Sequence, residues 1–241
     1  MNGGKLLKSG TICTKEQCTG CGACVQICPK QCITMRPDSE GFRYPFVDEQ
    51  QCVNCKKCVD VCPVSHAPTI HAATFYMAWH KDKDVLLHSS SGGVFTALAT
   101  IVLRRGGVVF GAALDEATRE VYHTMAENEE ELDKLRMSKY YQSDTRDVYQ
   151  IVRTKLQEGR QVLFSGTACQ VAALYCFLGD KVEWPNLLTV DVLCHGVSSK
   201  KVVDAYISSK EKRYKKRIRS IRFRVKGSDV EWQSGGYKNE A

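Results

Sequence analysis

The chain has 241 residues, of which 43% are hydrophobic and 25% are charged, and these proportions are those of a globular protein with one or two domains. No apolar run approaches the roughly 20 residues that cross a bilayer, and the first residues contain no apolar core of a secretion signal. We therefore expect a cytoplasmic protein without a membrane span. In that reducing compartment, the 13 cysteines favour metal binding or catalysis over a disulfide framework.

The first predicted element is a duplicated cysteine motif. The spacing C-x2-C-x2-C-x3-C-P begins at Cys18 and again at Cys52. Three thiols on one short loop can bind three irons of a cubane, and the fourth cysteine, which precedes a proline, binds the other cluster of a two-cluster ferredoxin. A zinc site would use two C-x2-C pairs set well apart, so the spacing favours iron and sulfide. The predicted ligand sets of the two 4Fe-4S clusters are Cys18, Cys21, Cys24 and Cys62, and Cys52, Cys55, Cys58 and Cys28.

Three further features belong to this cysteine-rich region. Cys13 and Cys32 fall outside both motifs, and we expect Cys32 to be a packed free thiol. Between the two motifs, a Pro-Asp-Gly turn is flanked by short strand-like runs. Lys56 and Lys57 lie in the second motif, where their charge could raise the potential of that cluster or meet an acidic electron donor.

The composition changes after the second motif. Ten cysteines lie between Cys13 and Cys62, and three lie beyond. The stretch Pro63–Thr74 has two prolines and several small residues, which indicate a linker. We therefore predict a ferredoxin-like domain with two 4Fe-4S clusters over residues 1–70 and a second domain over residues 71–241.

Strands alternate with helices in the second domain. Helices are predicted over residues 93–103, 128–136, 145–157, 168–178 and 199–212. The runs "GGVVFGAAL", "QVLFSG" and "LLTVDVLCHG" are typical of buried strands, and "IRSIRFRV" alternates like a strand near an edge. This order predicts an α/β layered domain with a mostly parallel sheet, and with the ferredoxin-like domain the fold class is α+β.

The formal net charge of +7 comes from one basic segment. Residues 200–226 contain twelve Lys and Arg but only two acids, Asp204 and Glu211. The segment could be a solvated helix face, a docking patch for an acidic partner or cofactor, or a nucleic-acid surface. No aromatic-rich RNA-binding signature accompanies the charge, and we expect no nucleic-acid partner.

Several segments together resemble one known family. They are "SSSGGVFTALATIVLRRGGVVFGAAL", "SKYYQSD", "VLFSGTACQVAAL" and "VDVLCHGVSS", which follow the cysteine motifs in this order. With them, nearly the whole chain resembles the beta-subunit family of coenzyme F420 hydrogenase and dehydrogenase. Ala168 stands where the family often has proline, a mild change at a helix start. The resemblance also implies further residues after Ala241, so we expect that the chain is truncated at its C-terminus.

The resemblance implies an iron–sulfur flavoprotein. Residues 71–241 would bind FAD, and electrons would pass between a one-electron donor such as ferredoxin, the two clusters, FAD and a two-electron partner, which is F420 in some members and another acceptor in others. The alternative is a non-catalytic electron-transfer subunit of a larger hydrogenase or dehydrogenase complex, with the basic segment as its docking face. Expected partners are therefore a redox protein, possible complex subunits, and a small-molecule or coenzyme substrate.

Candidate cofactor contacts lie in two small-residue turns. Ser90, Ser91, Gly92 and Gly93 open a helix, where free N–H groups and the helix dipole suit a phosphate, although a plain N-cap is the alternative. Gly166, Thr167 and Cys169 follow a strand, at the edge where open α/β sheets bind ligands. By resemblance, Gln142 and Ser143 face the cofactor.

The candidate catalytic residues are Lys139, Cys169 and His195. Lys139 could be a cation near a flavin ring or a substrate anion. Cys169 and Cys194 could be packed core thiols, a redox or substrate-contact pair, or ligands of a further cluster. Residue 176, also a cysteine, falls inside an apolar helix and is expected in the core. His195 could supply a proton, or it could be a structural histidine bonded to backbone.

Overall fold

The computed structural model describes residues 12–66, 74, 76–179, 183–224 and 226. In the cysteine-rich part, the elements are α1 (Ala23–Ile27), β1 (Ile33–Pro37), β2 (Arg43–Val47) and α2 (Lys57–Asp60). The following elements are α3 (Lys83–Leu87), α4 (Val94–Arg104), β3 (Val108–Asp115), β4 (Glu120–Ala126), α5 (Glu129–Leu135), α6 (Val148–Gln157), β5 (Val162–Thr167), α7 (Ala168–Leu178), β6 (Leu187–Val192) and α8 (Lys200–Tyr214). No described helix is long and apolar enough to cross a bilayer.

The cysteine repeat is visible in the backbone. Each loop of three cysteines ends in a short helix, α1 or α2, and the residue before each helix has a left-handed conformation, Gly22 with φ 78° and Lys56 with φ 60°. The two helices pack against each other. Strands β1 and β2 form the antiparallel hairpin between the two loops, and the Asp38 carboxylate closes its turn by accepting from the N–H groups of Glu40 and Phe42. This arrangement confirms the ferredoxin-like prediction.

A four-stranded sheet in the order β4-β3-β5-β6 forms the centre of the second part. Strands β3, β5 and β6 are mutually parallel neighbours, while β4 pairs antiparallel with β3 at one edge. The predicted mostly parallel sheet is therefore confirmed. Strand β4 was not predicted, because its sequence "EVYHTMA" places a histidine among the inward-facing positions and lacks the continuous apolar run of a buried strand.

The predicted helices form close to their expected bounds, and one predicted strand does not. Helix α7 has the predicted bounds, and Thr167 and Gln170 form a capping box at its start. The run "IRSIRFRV" is a strand prediction that is wrong for the described residues, where only Arg222 makes a bridge. Phe223 instead packs its ring against Tyr140 and Tyr141, so the segment lies on a loop and does not extend the sheet.

Helices cover both faces of the sheet. On one face, Phe110 and Phe164 pack against α6 and α7, and on the other, Val109 and Leu163 pack against α4 and α5. Ala23 of α1 belongs to the first of these cores, so the cysteine-rich part shares buried apolar surface with the sheet. The predicted boundary at residue 70, in the linker, lies outside the described residues.

Gln26 joins the cysteine-rich part to helix α6. Its side-chain oxygen accepts a hydrogen bond from the Tyr149 N–H at 2.8 Å, and its backbone carbonyl accepts from the Gln150 amide at 2.6 Å. Tyr149 lies in the first turn of α6, where N–H groups have no partner within the helix. Gln26 therefore caps α6 from a distant part of the chain and fixes α1 against the second part.

Candidate functional site

Thiols of the two cysteine motifs lie close to one another. Burial raises the pKa of the Cys24 thiol, and the neighbouring thiols Cys21, Cys18, Cys58 and Cys62 raise it further. Burial also raises the pKa of Cys58, as do the nearby thiols Cys52, Cys55 and Cys28. Cys62 therefore lies near Cys21 and Cys24, and Cys28 lies near Cys58, as the predicted sets require. Four thiols are the donor set of a 4Fe-4S cluster, so both sets fit the cofactor.

The two sets differ in their exposure. Cys24 and Cys62 of the first set are buried, and a hollow of about 20 Å³ lies between their loop and Pro63. In the second set, Cys55 is exposed and Cys52 and Cys58 are half-buried. The first set therefore faces the inside of the molecule, whereas the second lies at its surface.

A cavity of about 630 Å³ lies at the carboxyl edge of β5 and β6. Its walls come from the first cysteine loop, the hairpin, the turn before α4, the loop after α5, and the residues that follow β5 and β6. This is the edge where open α/β sheets bind ligands, and the volume falls within the usual range for small-molecule and cofactor sites.

The cavity wall contains nearly all of the residues that the sequence singled out. His195 is the exception: it is exposed and does not line the cavity, although its neighbours Cys194 and Gly196 do. The predicted residues in the wall are Ser90, Ser91, Gly92, Gly93, Lys139, Gln142, Ser143, Gly166, Thr167 and Cys169.

The charges of the wall have one sign. Arg43, Arg136 and Lys139 line the cavity, and no Asp or Glu is among the described residues that line it. Arg43 is bound to Asp144 and Glu120 behind the wall. The Nε of Arg136 is buried and has no hydrogen-bond partner, although its Nη1 contacts Asp133 at 2.8 Å. A buried donor without a partner costs free energy, so this atom fits an acceptor on an anionic ligand.

The turn before α4 has the geometry of an anion site. Gly93, with φ 78°, places the chain in a left-handed conformation at the start of the 11-residue helix. The N–H of Ser138 donates to the Ser90 hydroxyl at 2.7 Å, which ties the turn to the loop that carries Lys139. The first N–H groups of α4 have no helical acceptors, and the helix dipole favours negative charge there.

Two basic residues that sequence reasoning did not single out lie against the same turn. Arg224 donates to the carbonyl of Ser90 at 3.1 Å, and Lys226 donates to the carbonyls of Leu86 and Ser91 at 2.9 and 2.6 Å. The end of the basic segment therefore places two cations beside the turn before α4. The alternation in "IRSIRFRV" indicated a strand and gave no signal for this contact.

Lys139 is held at the end of α5. Its ammonium donates to the carbonyls of Lys134 and Arg136 at 2.9 and 2.8 Å, which are acceptors at a helix C-terminus. The side chain is half-buried, and removal from water lowers its pKa to about 7. Near neutral pH, Nζ can therefore either carry a charge toward the cavity or hold and release a proton.

His123 on β4 is a buried member of the wall that the sequence did not reveal. Its Nε2 donates to the carbonyl of Ser165 at 3.2 Å, because a carbonyl can only accept. Burial lowers its pKa to about 4, so the ring is neutral and Nδ1 accepts from the Ser143 hydroxyl at 3.1 Å. The Ser143 oxygen in turn accepts from the Gln170 amide at 2.7 Å. This chain fixes Ser143 and the start of α7 around the cavity.

The first cysteine loop and the cavity share a thin wall. Cys18, Thr19 and Gly20 line the cavity, and the Gln142 amide contacts the Thr19 carbonyl at 3.5 Å while accepting from the Arg43 N–H at 3.2 Å. Gly20 has a φ of 67°, a left-handed conformation that favours glycine, and a Cβ there would also displace the Gln142 amide. The first ligand set is therefore separated from the cavity by one loop.

Cys169 and Cys194 are not buried core thiols. Cys169 is half-buried in the first turn of α7, 3.1 Å from the Thr167 hydroxyl, and Cys194 is exposed and lines the same cavity. Cys169 also lies near enough to Cys21 to raise the pKa of that thiol. Cys176 packs against the core as expected, and its thiol donates to the His66 carbonyl at 3.0 Å.

Three family models match the chain. The 4Fe-4S dicluster domain matches residues 17–66, and the N-terminal and C-terminal models of the coenzyme F420 hydrogenase/dehydrogenase beta subunit match residues 75–150 and 159–240. No curated protein matches significantly. Among solved structures, a chain of the xenon-derivatised F420-reducing NiFe hydrogenase complex from Methanosarcina barkeri is 19% identical with a TM-score of 0.46. The match covers 65% of this chain and 57% of that chain.

Proposed function

Because the chain belongs to the coenzyme F420 hydrogenase/dehydrogenase beta subunit family, an oxidoreductase family, and contains a 4Fe-4S dicluster domain, we propose that it is an iron–sulfur flavoprotein. Single electrons would be exchanged with a redox protein such as ferredoxin through the two clusters. The cavity would bind FAD and admit a two-electron substrate or coenzyme, either F420 or another acceptor. Within this proposal, residues 1–70 are the ferredoxin-like domain and 71–241 the FAD-binding catalytic domain.

One observation carries the proposal: the first cysteine loop is itself a wall of the large cavity. Cys18 of the first predicted set lines this cavity, and Cys55 of the second set is exposed to solvent. A path from the surface to the cavity therefore runs through both sets in sequence. This order suits a protein that takes electrons from an external carrier and delivers them to a ligand inside.

The residues of the cavity fit FAD at its phosphate end. A pyrophosphate can accept from the first N–H groups of α4, and the positive charges of Arg136 and the neighbouring Arg224 and Lys226 favour it. The absence of carboxylates among the described wall residues removes repulsion of an anion. Bound there, FAD would supply the exchange between one-electron and two-electron transfer.

The remaining wall residues have positioning and proton roles in this proposal. Gln142 and Ser143 are held by Arg43 and His123, and present fixed polar groups between the first cysteine loop and α7. Lys139, with a pKa near 7, holds a proton at Nζ that can be released close to neutral pH. Cys169 lines the cavity from the first turn of α7, so its thiol is within reach of a bound ligand.

Ligand titration of the anaerobically prepared, iron-loaded full chain tests this proposal. We expect FAD to bind at one per chain, ADP to bind more weakly, and the double variant Arg224→Ala/Lys226→Ala to lower both affinities about tenfold, while riboflavin affinity stays unchanged because riboflavin lacks phosphate. Lys212→Ala/Lys216→Ala is the matched control, since it removes the same charge from exposed positions of the basic segment. A wild-type chain that carries both clusters but binds no FAD would contradict the proposal.

A second candidate function is electron transfer without a substrate of its own, within a larger complex. The exposed surface of α8 favours it, because Val202, Tyr206 and Tyr214 are more than half exposed beside lysine and arginine side chains. Exposed aromatic and basic residues are typical of protein interfaces. Full iron content with no affinity for FAD or ADP would favour this function over the first.

A further inference from the structure

Each cluster ligand set has one additional thiol beside it. Cys13 lies within hydrogen-bonding reach of Cys18 and Cys62 of the first set, and Cys32 stands in the same relation to Cys28 and Cys52 of the second. Neither additional cysteine belongs to the duplicated motif. Sequence reasoning predicted Cys32 as a packed free thiol, and the structure places it at the edge of a metal site.

For Cys32, the structure gives a direct sulfur–sulfur contact with a cluster ligand. Its Sγ lies 3.4 Å from the Sγ of Cys28, and the side chain is only 6% exposed. Both cysteines belong to one tight turn, in which Gln31 adopts a φ of 50° and its N–H donates to the Cys28 carbonyl at 3.1 Å. The Asp48 N–H donates to the Cys32 carbonyl at 2.8 Å, so the backbone of Cys32 is anchored to the hairpin.

These distances allow one sulfur to replace the other. Rotation of a side chain between staggered χ1 positions moves a sulfur by about 3 Å, which is comparable to the separation of the two Sγ atoms. The backbone need not move, because both residues are fixed by hydrogen bonds of the same turn. A cluster bound through Cys28 therefore has a second thiol within reach of the same iron.

We propose that Cys32 is a reserve ligand of the second cluster, which binds iron when the bond to Cys28 is lost. In the exchange, the iron–sulfur bond of Cys28 breaks and that of Cys32 forms. The proton of the Cys32 thiol passes to the Cys28 thiolate, so iron and sulfide keep their oxidation states and no further reactant is needed.

The position of the second cluster gives this exchange a use. Cys55 of that set is exposed and Cys28 is half-buried, so solvent and oxidants can reach the cluster and its ligands. Cys32 is buried and is thereby protected from the same oxidants. A protected thiol next to a ligand that solvent can reach would preserve the cluster that exchanges electrons with the outside.

Iron and sulfide content of anaerobically prepared full-length variants tests the proposal. Wild type should contain about eight irons from two four-iron clusters, and Cys28→Ala should retain about eight because Cys32 replaces the missing ligand. Cys55→Ala is the matched control, since no additional thiol contacts Cys55 among the described residues, and it should fall toward about four irons. Cys32→Ala alone should keep the wild-type content, whereas Cys28→Ala/Cys32→Ala should resemble Cys55→Ala.

Two results would overturn the proposal. In the first, Cys28→Ala loses as much iron as Cys55→Ala, so Cys32 does not replace the ligand. In the second, Cys32→Ala alone loses a cluster, which would make Cys32 a resident ligand. The first cluster is an internal control of folding, because its electron paramagnetic resonance signal after reduction must persist in every variant compared. The test depends on iron alone, so its outcome is separate from whether FAD binds.

Discussion

Replacement of His123 should remove part of the acid sensitivity of the fold. The buried imidazole has a pKa of about 4, chiefly because of burial, with Lys139 lowering and Asp144 raising it, whereas an unfolded chain binds a proton near pH 6.5. Below about pH 6.5 the unfolded state therefore takes up a proton that the folded state excludes. Stability contributed by the neutral ring is present above that pH and is lost as the pH falls toward 4, by about 3 kcal/mol in total.

In practice, the unfolding midpoints of wild type and variant are compared over a smaller pH step, within which the clusters are kept. Between about pH 7.5 and pH 5.5 the same linkage removes about 1 kcal/mol, or about 2–4 °C of the unfolding midpoint for a chain of this size. His123→Gln keeps a donor for the Ser165 carbonyl and an acceptor for the Ser143 hydroxyl but cannot titrate. We expect its midpoint to fall less than that of wild type across this step.

Anaerobic thermal unfolding at one scan rate provides the measurement. His88→Gln, at the exposed C-cap of α3, is the control and should follow wild type. If His123→Gln loses as many degrees as wild type between the two pH values, the neutral buried ring does not contribute to the pH dependence, and the reasoning is refuted.

Three further predictions follow from single contacts. Gln26→Leu leaves the Tyr149 N–H of α6 without an acceptor and should lower the free energy of unfolding by about 1–3 kcal/mol, measured by denaturant titration against the exposed control Gln50→Leu. Gly93→Ala forces a side chain into a left-handed conformation and should cost about 1–2 kcal/mol in the same assay and weaken ADP binding. In wild type, ADP affinity should fall as the pH rises through about 7, and Lys139→Met should abolish that decline in calorimetric titrations.

The parts of the fold that were predicted from sequence are those set by local rules. The cysteines of each motif lie within one short stretch, so the spacing of Cys18 to Cys28 and of Cys52 to Cys62 is sufficient to predict the 4Fe-4S dicluster domain that the family model matches. Helix α7 could be bounded because Thr167 and Gln170 cap it within four residues. The candidate turn before α4 was found for the same reason, since glycine and serine residues at a helix start are visible without knowledge of the fold.

The parts that sequence reasoning missed depend on long-range contacts. His123 becomes a wall residue only because β4 pairs beside β3 and places the ring against Phe164. Arg224 is separated by 134 residues from the carbonyl it contacts, so its position in the basic segment carried no information about that partner. The proximity of Cys32 to Cys28 depends on the positive φ of Gln31, which no propensity of glutamine would indicate.

A reductive titration of the FAD-loaded chain tests the central claim most directly. Dithionite would be added anaerobically to protein with both clusters and FAD while the visible spectrum is recorded. We predict that each chain takes up about four electrons, one for each cluster and two for the flavin, and that flavin bleaching accompanies cluster reduction because Cys18 of the first predicted ligand set lines the cavity. Uptake of about two electrons with an unchanged flavin spectrum would show that the clusters do not communicate with the cavity, and would contradict the account.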